Sequence, residues 1–346
     1  MNFGSFDKLD KKSLTFIKIP MIKAYMKKIL IIGAGSWGTA LANTLAQNNK
    51  NVFLWTRSQN IAEHINKTNI NKNYFKNITL NKNIKSFSGK IDPKFYSDIF
   101  YVLPAKAFEN FALDYLINGK IQNFIICSKG LGEKGELISK LAKEKFKIKN
   151  LFILSGPSFA DEVILNMPTA LSLAGKKNHE MIGKLFQNTN IRLYYSKNIK
   201  TLEYLGILKN IYAIGAGIID ALNLGENAKA SYLTRCLFEI KSTLHFKKLN
   251  QDQLFSLGGI GDIFLTSNSK RSRNYSFGYQ FIKNNSQKSL NQKITIEGFN
   301  SIFVINKNEN MNLNQLPILK TILNILKGKN PKIEIEKLLK RKFKFE

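Results

Sequence analysis

Between Ile29 and Tyr195 the chain consists of short apolar runs separated by longer stretches in which apolar and polar residues mix. Ile29–Ile32, Val52–Trp55, Ile99–Leu103, Phe124–Cys127, Leu151–Leu154, Thr169–Ala174 and Ile191–Tyr195 have the length and apolar content of buried strands. Helical stretches between such runs predict a parallel, doubly wound sheet covered on both faces. Residues 66–90 are rich in Asn and Lys and predict a long loop with little regular structure. From about Lys200 the strand signals stop. Leu202, Leu205, Leu208, Tyr212 and Ile219 then recur at helical spacing, and Pro317 to Glu346 reads as two amphipathic helices with a basic tail.

The first apolar run leads into Gly33-Ala34-Gly35-Ser36-Trp37-Gly38 and then a helical segment. Strand, glycine turn and helix in that order are the context in which G-x-G-x-x-G binds a dinucleotide. Gly33 permits the turn, Gly35 admits a pyrophosphate to the backbone, and Gly38 lets helix and strand pack closely. The helix N-terminus then faces the phosphates. The predicted class is therefore α/β, a Rossmann-type dinucleotide domain over 26–198 followed by an all-helical substrate domain over 199–346. Residues 1–25 are expected to be a disordered or upstream extension.

Length and composition narrow the function. At 346 residues the chain can hold two such units, and 44% hydrophobic residues is a globular figure. No apolar run reaches the roughly 18 residues of a bilayer span, so no membrane insertion is expected. A net charge of +29 would admit nucleic acid, but only six of the 53 basic residues are arginine and the lysines are spread along the chain. That pattern suits a solvated surface better than a reader of bases, so no nucleic-acid partner is expected. Cys127 and Cys236 are isolated, as in a reducing cytoplasm. His64, His179 and His245 lie far apart, so no metal site is expected.

The second strand ends in Thr56-Arg57-Ser58, where the fingerprint usually has an acidic residue. An arginine there suits a 2′-phosphate and favours NADPH over NADH, the alternative being a surface charge. Later strand ends carry Pro104, Ser128-Lys129-Gly130 and Ser155-Gly156-Pro157-Ser158, with Lys129 their only charge. Lys209 sits in an apolar helical segment beside Asn210. It is either a lysine that snorkels to water or a desolvated amine usable as a base. Gly258-Gly259-Ile260-Gly261-Asp262 reads as a flexible turn delivering a carboxylate. Ser272-Arg273-Asn274 offers hydroxyl, guanidinium and amide donors of the kind that hold a phosphate.

With these pieces in order, the chain resembles the bacterial, soluble, NAD(P)-dependent glycerol-3-phosphate dehydrogenases from Met26 to about Lys340. The motifs are GAGSWGTALA (33–42), SKG (128–130), SGPSFADEV (155–163), LKNIYAIGAGIIDAL (208–222), GENAKASYLTR (225–235), GGIGD (258–262), SRN (272–274) and IEG (296–298). The resemblance implies reversible hydride transfer between NAD(P)H, with NADPH preferred, and dihydroxyacetone phosphate, giving sn-glycerol 3-phosphate for phospholipids. It implies Lys209 as general base, Asp262 orienting it, and Lys129 bridging substrate and cofactor. Gly156, Ser158, Ser272, Arg273 and Asn274 would hold substrate. Besides the glycines, Ser36, Trp37, Arg57, Ala160, Arg273, Thr295 and Glu297 would contact NADPH. A homodimer is left open. The chain departs from the family pattern at Leu103-Pro104-Ala105, at Lys229, and at 73–76, which lack a Leu-Pro-Gly turn.

Overall fold

A computed structural model describes residues 28–117, 119–283, 296–307 and 312–341. The expected extension over 1–25 and the predicted contact at Thr295 lie outside the described residues. Eight strands form one sheet: β1 (Ile29–Ile32), β2 (Val52–Trp55), β3 (Ile84–Phe87), β4 (Asp98–Tyr101), β5 (Lys120–Ile126), β6 (Lys147–Ser155), β7 (Thr169–Gly175) and β8 (Ile191–Ser196). Their order is β3-β2-β1-β4-β5-β6-β7-β8, so the winding reverses beside β1. Ligands of such sheets bind at that reversal, outside the carboxyl ends of the strands.

Two expectations are corrected here. Residues 66–90 are not all loop, because Ile84-Lys85-Ser86-Phe87 forms edge strand β3 beside β2. A four-residue strand amid Asn and Lys gives little signal of its own. The sheet is also not wholly parallel: β7 runs antiparallel to β6, with β8 parallel to β7. The connection from β6 to β7 carries the five-residue helix Ala160–Ile164 and brings the chain back beside β6 in the opposite direction. A strand buried on both faces is an unbroken apolar run whichever way it points, so the pattern carries no signal of direction.

Six helices belong to the sheet half: α1 (Ser36–Leu45), α2 (Gln59–Thr68), α3 (Phe108–Asp114), α4 (Ile138–Lys145), α5 (Ala160–Ile164) and α6 (His179–Gly183). Alternate residues of β1 enter different cores, Ile29 and Ile31 on one face and Leu30 and Ile32 on the other. That two-sided burial is why these strands read as unbroken apolar runs. The second core continues without a break into α7 (Ile199–Ala221), through Leu202, Leu205 and Leu208.

Around α7 pack α8 (Glu226–Phe246), α9 (Asp262–Ser267), α10 (Arg273–Lys283), α11 (Glu297–Lys307) and α12 (Pro317–Leu326), and α13 (Pro331–Leu339) packs on α12. Among the described residues, α7 alone is long and apolar enough to cross a bilayer, yet 94% of its most apolar window is buried in the fold. A helix apolar all round is the core of its domain. Close crossing with α10 needs glycine on both sides. A Cβ at Gly217 would meet the Tyr275 carbonyl at 2.0 Å, and one at Gly278 the Ile214 carbonyl at 2.0 Å.

Two buried carboxylates satisfy helix N-termini that lack side-chain caps of their own. Glu239 of α8 accepts from Ile318 N at 2.6 Å and Leu319 N at 3.1 Å, at the start of α12. Glu203 of α7 accepts from Ser139 N at 2.9 Å and from the Ser139 hydroxyl, at the start of α4. Burial pushes the Glu203 carboxyl up to about 7 against the pull of those bonds.

Candidate active site

The glycine turn leaves β1 with Gly33 N donating to Trp55 O at 3.0 Å, so it lies beside the end of β2. A Cβ at Gly38 would stand 1.9 Å from the Gly33 carbonyl, which is why helix and strand can close only on glycine. A Cβ at Gly35 would meet nothing within 4 Å, so its backbone faces open space. No side chain caps α1, leaving its first N–H groups to a ligand. This cradle fits the pyrophosphate of a dinucleotide. Ser36 and Trp37 form the first turn of α1, with Trp37 packed on the core beneath the loop. Arg57 is exposed beyond β2 and has no ion pair among the described residues. Ser58 beside it is taken up as the cap of α2, accepting from Ile61 N at 3.4 Å.

Asn71 was not singled out from the sequence. It is buried, and its amide donates to Ala34 O at 3.0 Å and to the Thr39 hydroxyl at 2.8 Å. It thereby pins the glycine turn to α1 from the long connection that precedes β3.

At the ends of β5 and β6 the chain meets α7 and α9. Asp262, fully buried, holds Lys209 Nζ at 3.0 Å with one oxygen and Lys129 Nζ at 2.5 Å with the other. Lys209 also donates to Thr266 Oγ1 at 2.8 Å, and Lys129 to the Gly156 carbonyl at 3.0 Å. An ammonium has three donors, so each lysine keeps one N–H for a ligand. Burial pulls the Lys209 ammonium down to about 8, against the raising effect of Asp262 and with help from Lys129 and Arg273. Burial alone would raise the Asp262 carboxyl, but the two ammoniums outweigh it and hold it below its ordinary value.

Lys209 does not snorkel to water; its side chain is enclosed. Gly258–Asp262 is likewise not a flexible turn. Leu257–Gly261 is a kinked turn, with Gly259 in a non-helical conformation (φ −97°, ψ −107°), that runs directly into α9 and places Asp262 in its first turn. Thr266, one helical turn after Asp262, was missed because a hydroxyl in an apolar helix carries no distinctive pattern.

A second layer braces this group. Asn210 donates to the Lys129 carbonyl at 2.8 Å and accepts from Asn274 at 2.9 Å, while Asn274 accepts from Gly298 N at 3.0 Å. Ser272 caps α10 by accepting from Tyr275 N at 3.3 Å. The Ser272–Asn274 cluster is therefore not three equivalent free donors: Ser272 and Asn274 are buried and engaged, while Arg273 is exposed between Lys209 and Glu297. Glu297 accepts from Ala105 N at 3.2 Å, tying α11 to the turn after β4. Burial raises its carboxyl despite that bond and the nearby Arg273. Ser158 donates to the Gly156 carbonyl at 3.3 Å, and Ala160 opens α5 two residues later. Arg271, also unremarked in the sequence, joins Asp161 and Glu162 at 2.5 Å each and lies 4.5 Å over Phe159.

The site thus joins a dinucleotide cradle to a buried Lys–Asp–Lys cluster with a helical lid of polar residues. Residues 28–181 match the family model for the N-terminus of NAD-dependent glycerol-3-phosphate dehydrogenase, and residues 198–337 match the model for its C-terminus. The chain belongs to the NAD-dependent glycerol-3-phosphate dehydrogenase family. It is 33% identical to glycerol-3-phosphate dehydrogenase [NAD(P)+] of Staphylococcus haemolyticus, over 93% of this chain and 100% of that one. The glycerol-3-phosphate dehydrogenase crystal structure from Coxiella burnetii superposes with a TM-score of 0.81 at 28% identity, covering 92% of this chain and 100% of that chain. A ketopantoate-type reductase from Bacillus subtilis, at 15% identity and a TM-score of 0.53, shares the fold alone. The activity is that of an NAD(P)-dependent glycerol-3-phosphate dehydrogenase.

Two of the departures from the family pattern, at Lys229 and at Ala105, have local explanations. Lys229 pairs with Asp220 at 2.7 Å and lies 5.4 Å over the Tyr275 ring. Ala105 uses its backbone N–H, not a side chain, to meet Glu297.

Proposed function

We propose that Lys209 is the general acid and base of this dehydrogenase, oriented by Asp262 and Thr266, and that NADPH is the preferred cofactor. The observation that carries the reading is the pair of unspent N–H donors on Lys209 and Lys129, held on one buried carboxylate at the strand ends. The glycine turn 33–38 and the uncapped start of α1 would hold the dinucleotide, whose nicotinamide would supply or accept the hydride. In reduction, the Lys209 ammonium gives its proton to the ketone oxygen of dihydroxyacetone phosphate as negative charge develops there. Asp262 and Thr266 hold Nζ in place during the transfer. The remaining N–H of Lys129 binds a substrate oxygen, and Gly156 and Ser158 border the same space. Arg273, with the N-terminus of α10 that Ser272 caps and Asn274 braces, takes the phosphate. Anchoring that remote end lowers the barrier at the reacting carbon. In oxidation, neutral Lys209 takes the hydroxyl proton of sn-glycerol 3-phosphate, the precursor of phospholipid backbones.

Ser36, Trp37, Arg57, Ala160 and Glu297 surround the cofactor in this reading, with Arg57 on its 2′-phosphate. Residues 26–198 form the cofactor lobe and 199–346 the substrate lobe. All these side chains come from one chain, so a homodimer is compatible with the site without being required by it. We place the reaction in the cytoplasm, in keeping with two buried, unpaired thiols at Cys127 and Cys236.

The proton assignment fixes a pH dependence. With Lys209 titrating near 8, ketone reduction needs the ammonium and falls as pH rises through about 8. Alcohol oxidation needs the amine and rises over the same range. Initial rates in both directions from pH 6 to 10 check this, and profiles that move together, or not at all, would remove Lys209 from the role.

A further inference from the structure

A cavity of about 580 Å3 opens between α4, the ends of β7 and β8, the start of α7 and the chain after α8, and none of its lining residues belongs to the glycine turn or to the Lys–Asp–Lys cluster. That volume suits a small molecule. Six of its thirteen lining residues are lysines, namely Lys140, Lys143, Lys176, Lys197, Lys200 and Lys248. Lysine makes up 47 of 346 residues, so a lining typical of the chain would hold about two. Only Lys140 has a carboxylate partner among the described residues, Glu144 at 3.7 Å. Six exposed lysines thus line one concave space whose wall holds a single acidic residue, Glu144, with the buried Glu203 carboxyl behind it near Lys143. The first turn of α7 points its positive end into the same place, and no side chain caps it, because Asn198 turns to Gln253 at 3.3 Å instead.

We propose that this cavity binds a small, soluble anion carrying several phosphate groups, at a site separate from the substrate phosphate. Crowding like charges is unfavourable unless counter-charge arrives, and clustered phosphates supply it with strong charge-assisted hydrogen bonds. A ligand there would touch both halves of the molecule at once. Ser139 in the cavity wall belongs to α4 and bonds Glu203 of α7, and Lys209 lies six residues further along α7, roughly 9 Å by helical rise.

The test is calorimetric titration of the full chain with sodium triphosphate, at fixed ionic strength. NADP+ and dihydroxyacetone phosphate are present at saturation, a pair that fills the active site without reacting. One saturable site per chain is expected. Lys197→Glu with Lys200→Glu should weaken it at least about tenfold, a loss of ~1.4 kcal/mol. Lys82→Glu with Lys85→Glu, the same charge change on exposed lysines near β3, should shift it less than about twofold. Unchanged kcat in both double variants confirms that they fold. Absence of a saturable site, equal weakening by both pairs, or capture only by vesicles of anionic phospholipid would each overturn the proposal.

Discussion

At the scale of single residues, the site is a balance between burial and charge. Asp262 is enclosed but stays ionised because Lys209 and Lys129 flank it at 3.0 and 2.5 Å. Lys209 gives up part of its basicity to the same enclosure, which brings its titration near working pH, where a proton carrier is most effective. Arg57 stands exposed after β2, with no ion pair among the described residues. Arg57→Asp is expected to move the kcat/KM ratio from NADPH towards NADH by about tenfold or more, the worth of one charge-assisted phosphate contact. Steady-state kinetics with both cofactors measures it, and an unchanged ratio removes Arg57 from the 2′-phosphate. Residue types with strong chemical character were legible in the sequence: Lys209 in an apolar helix, Asp262 after glycines, Arg273 between polar neighbours. Thr266, Asn71 and Arg271 were not, since each acts through a partner dozens of residues away and none breaks the local pattern.

At the scale of elements, glycine decides what can approach what. The contact between α1 and β1 passes through Gly38, and that between α7 and α10 through Gly217 and Gly278. Gly38→Ala would force a methyl against the Gly33 carbonyl, so the start of α1 must move away from β1. Cofactor affinity is expected to fall by at least about tenfold, with a stability loss on the order of 1–3 kcal/mol for the overpacked contact. Fluorescence titration with NADPH and urea unfolding check the two effects. The parallel strands were readable because burial on both faces makes them continuous apolar runs. Strand β3 was not, because it lies at an edge and carries Lys85 on its outer side. The direction of β7 was not readable either, because an apolar run looks the same in a parallel and an antiparallel neighbour. The kinked turn before Asp262 was hidden for a related reason: three glycines read as looseness, whereas close contact with Leu202 at Gly258 and with Leu254 at Gly259 fixes their course.

At the scale of the whole molecule, the two halves share one core, and Glu203 spans them by capping α4 from α7. Its carboxyl titrates near 7 in the folded chain, above the ordinary value of 4.5. Between those pH values the folded protein holds a proton that the unfolded chain has lost, so stability contributed by this group declines as pH rises through that range. Glu203→Gln keeps an acceptor for Ser139 N and abolishes the titration. Near pH 8 the variant is expected to be the more stable by on the order of 2–3 kcal/mol, with the gap closing towards pH 5. Urea unfolding at several pH values checks it, and a gap independent of pH would contradict the assignment.

The central claim joins these scales: the sheet presents the cofactor, the helical half presents the substrate, and Lys209 moves the proton between them. Its most direct test is Lys209→Ala, with turnover of dihydroxyacetone phosphate and binding of NADPH measured on the same preparation. The account predicts a fall in kcat of about 10²- to 10⁴-fold, with NADPH affinity unchanged. Retention of more than about a tenth of kcat would contradict it.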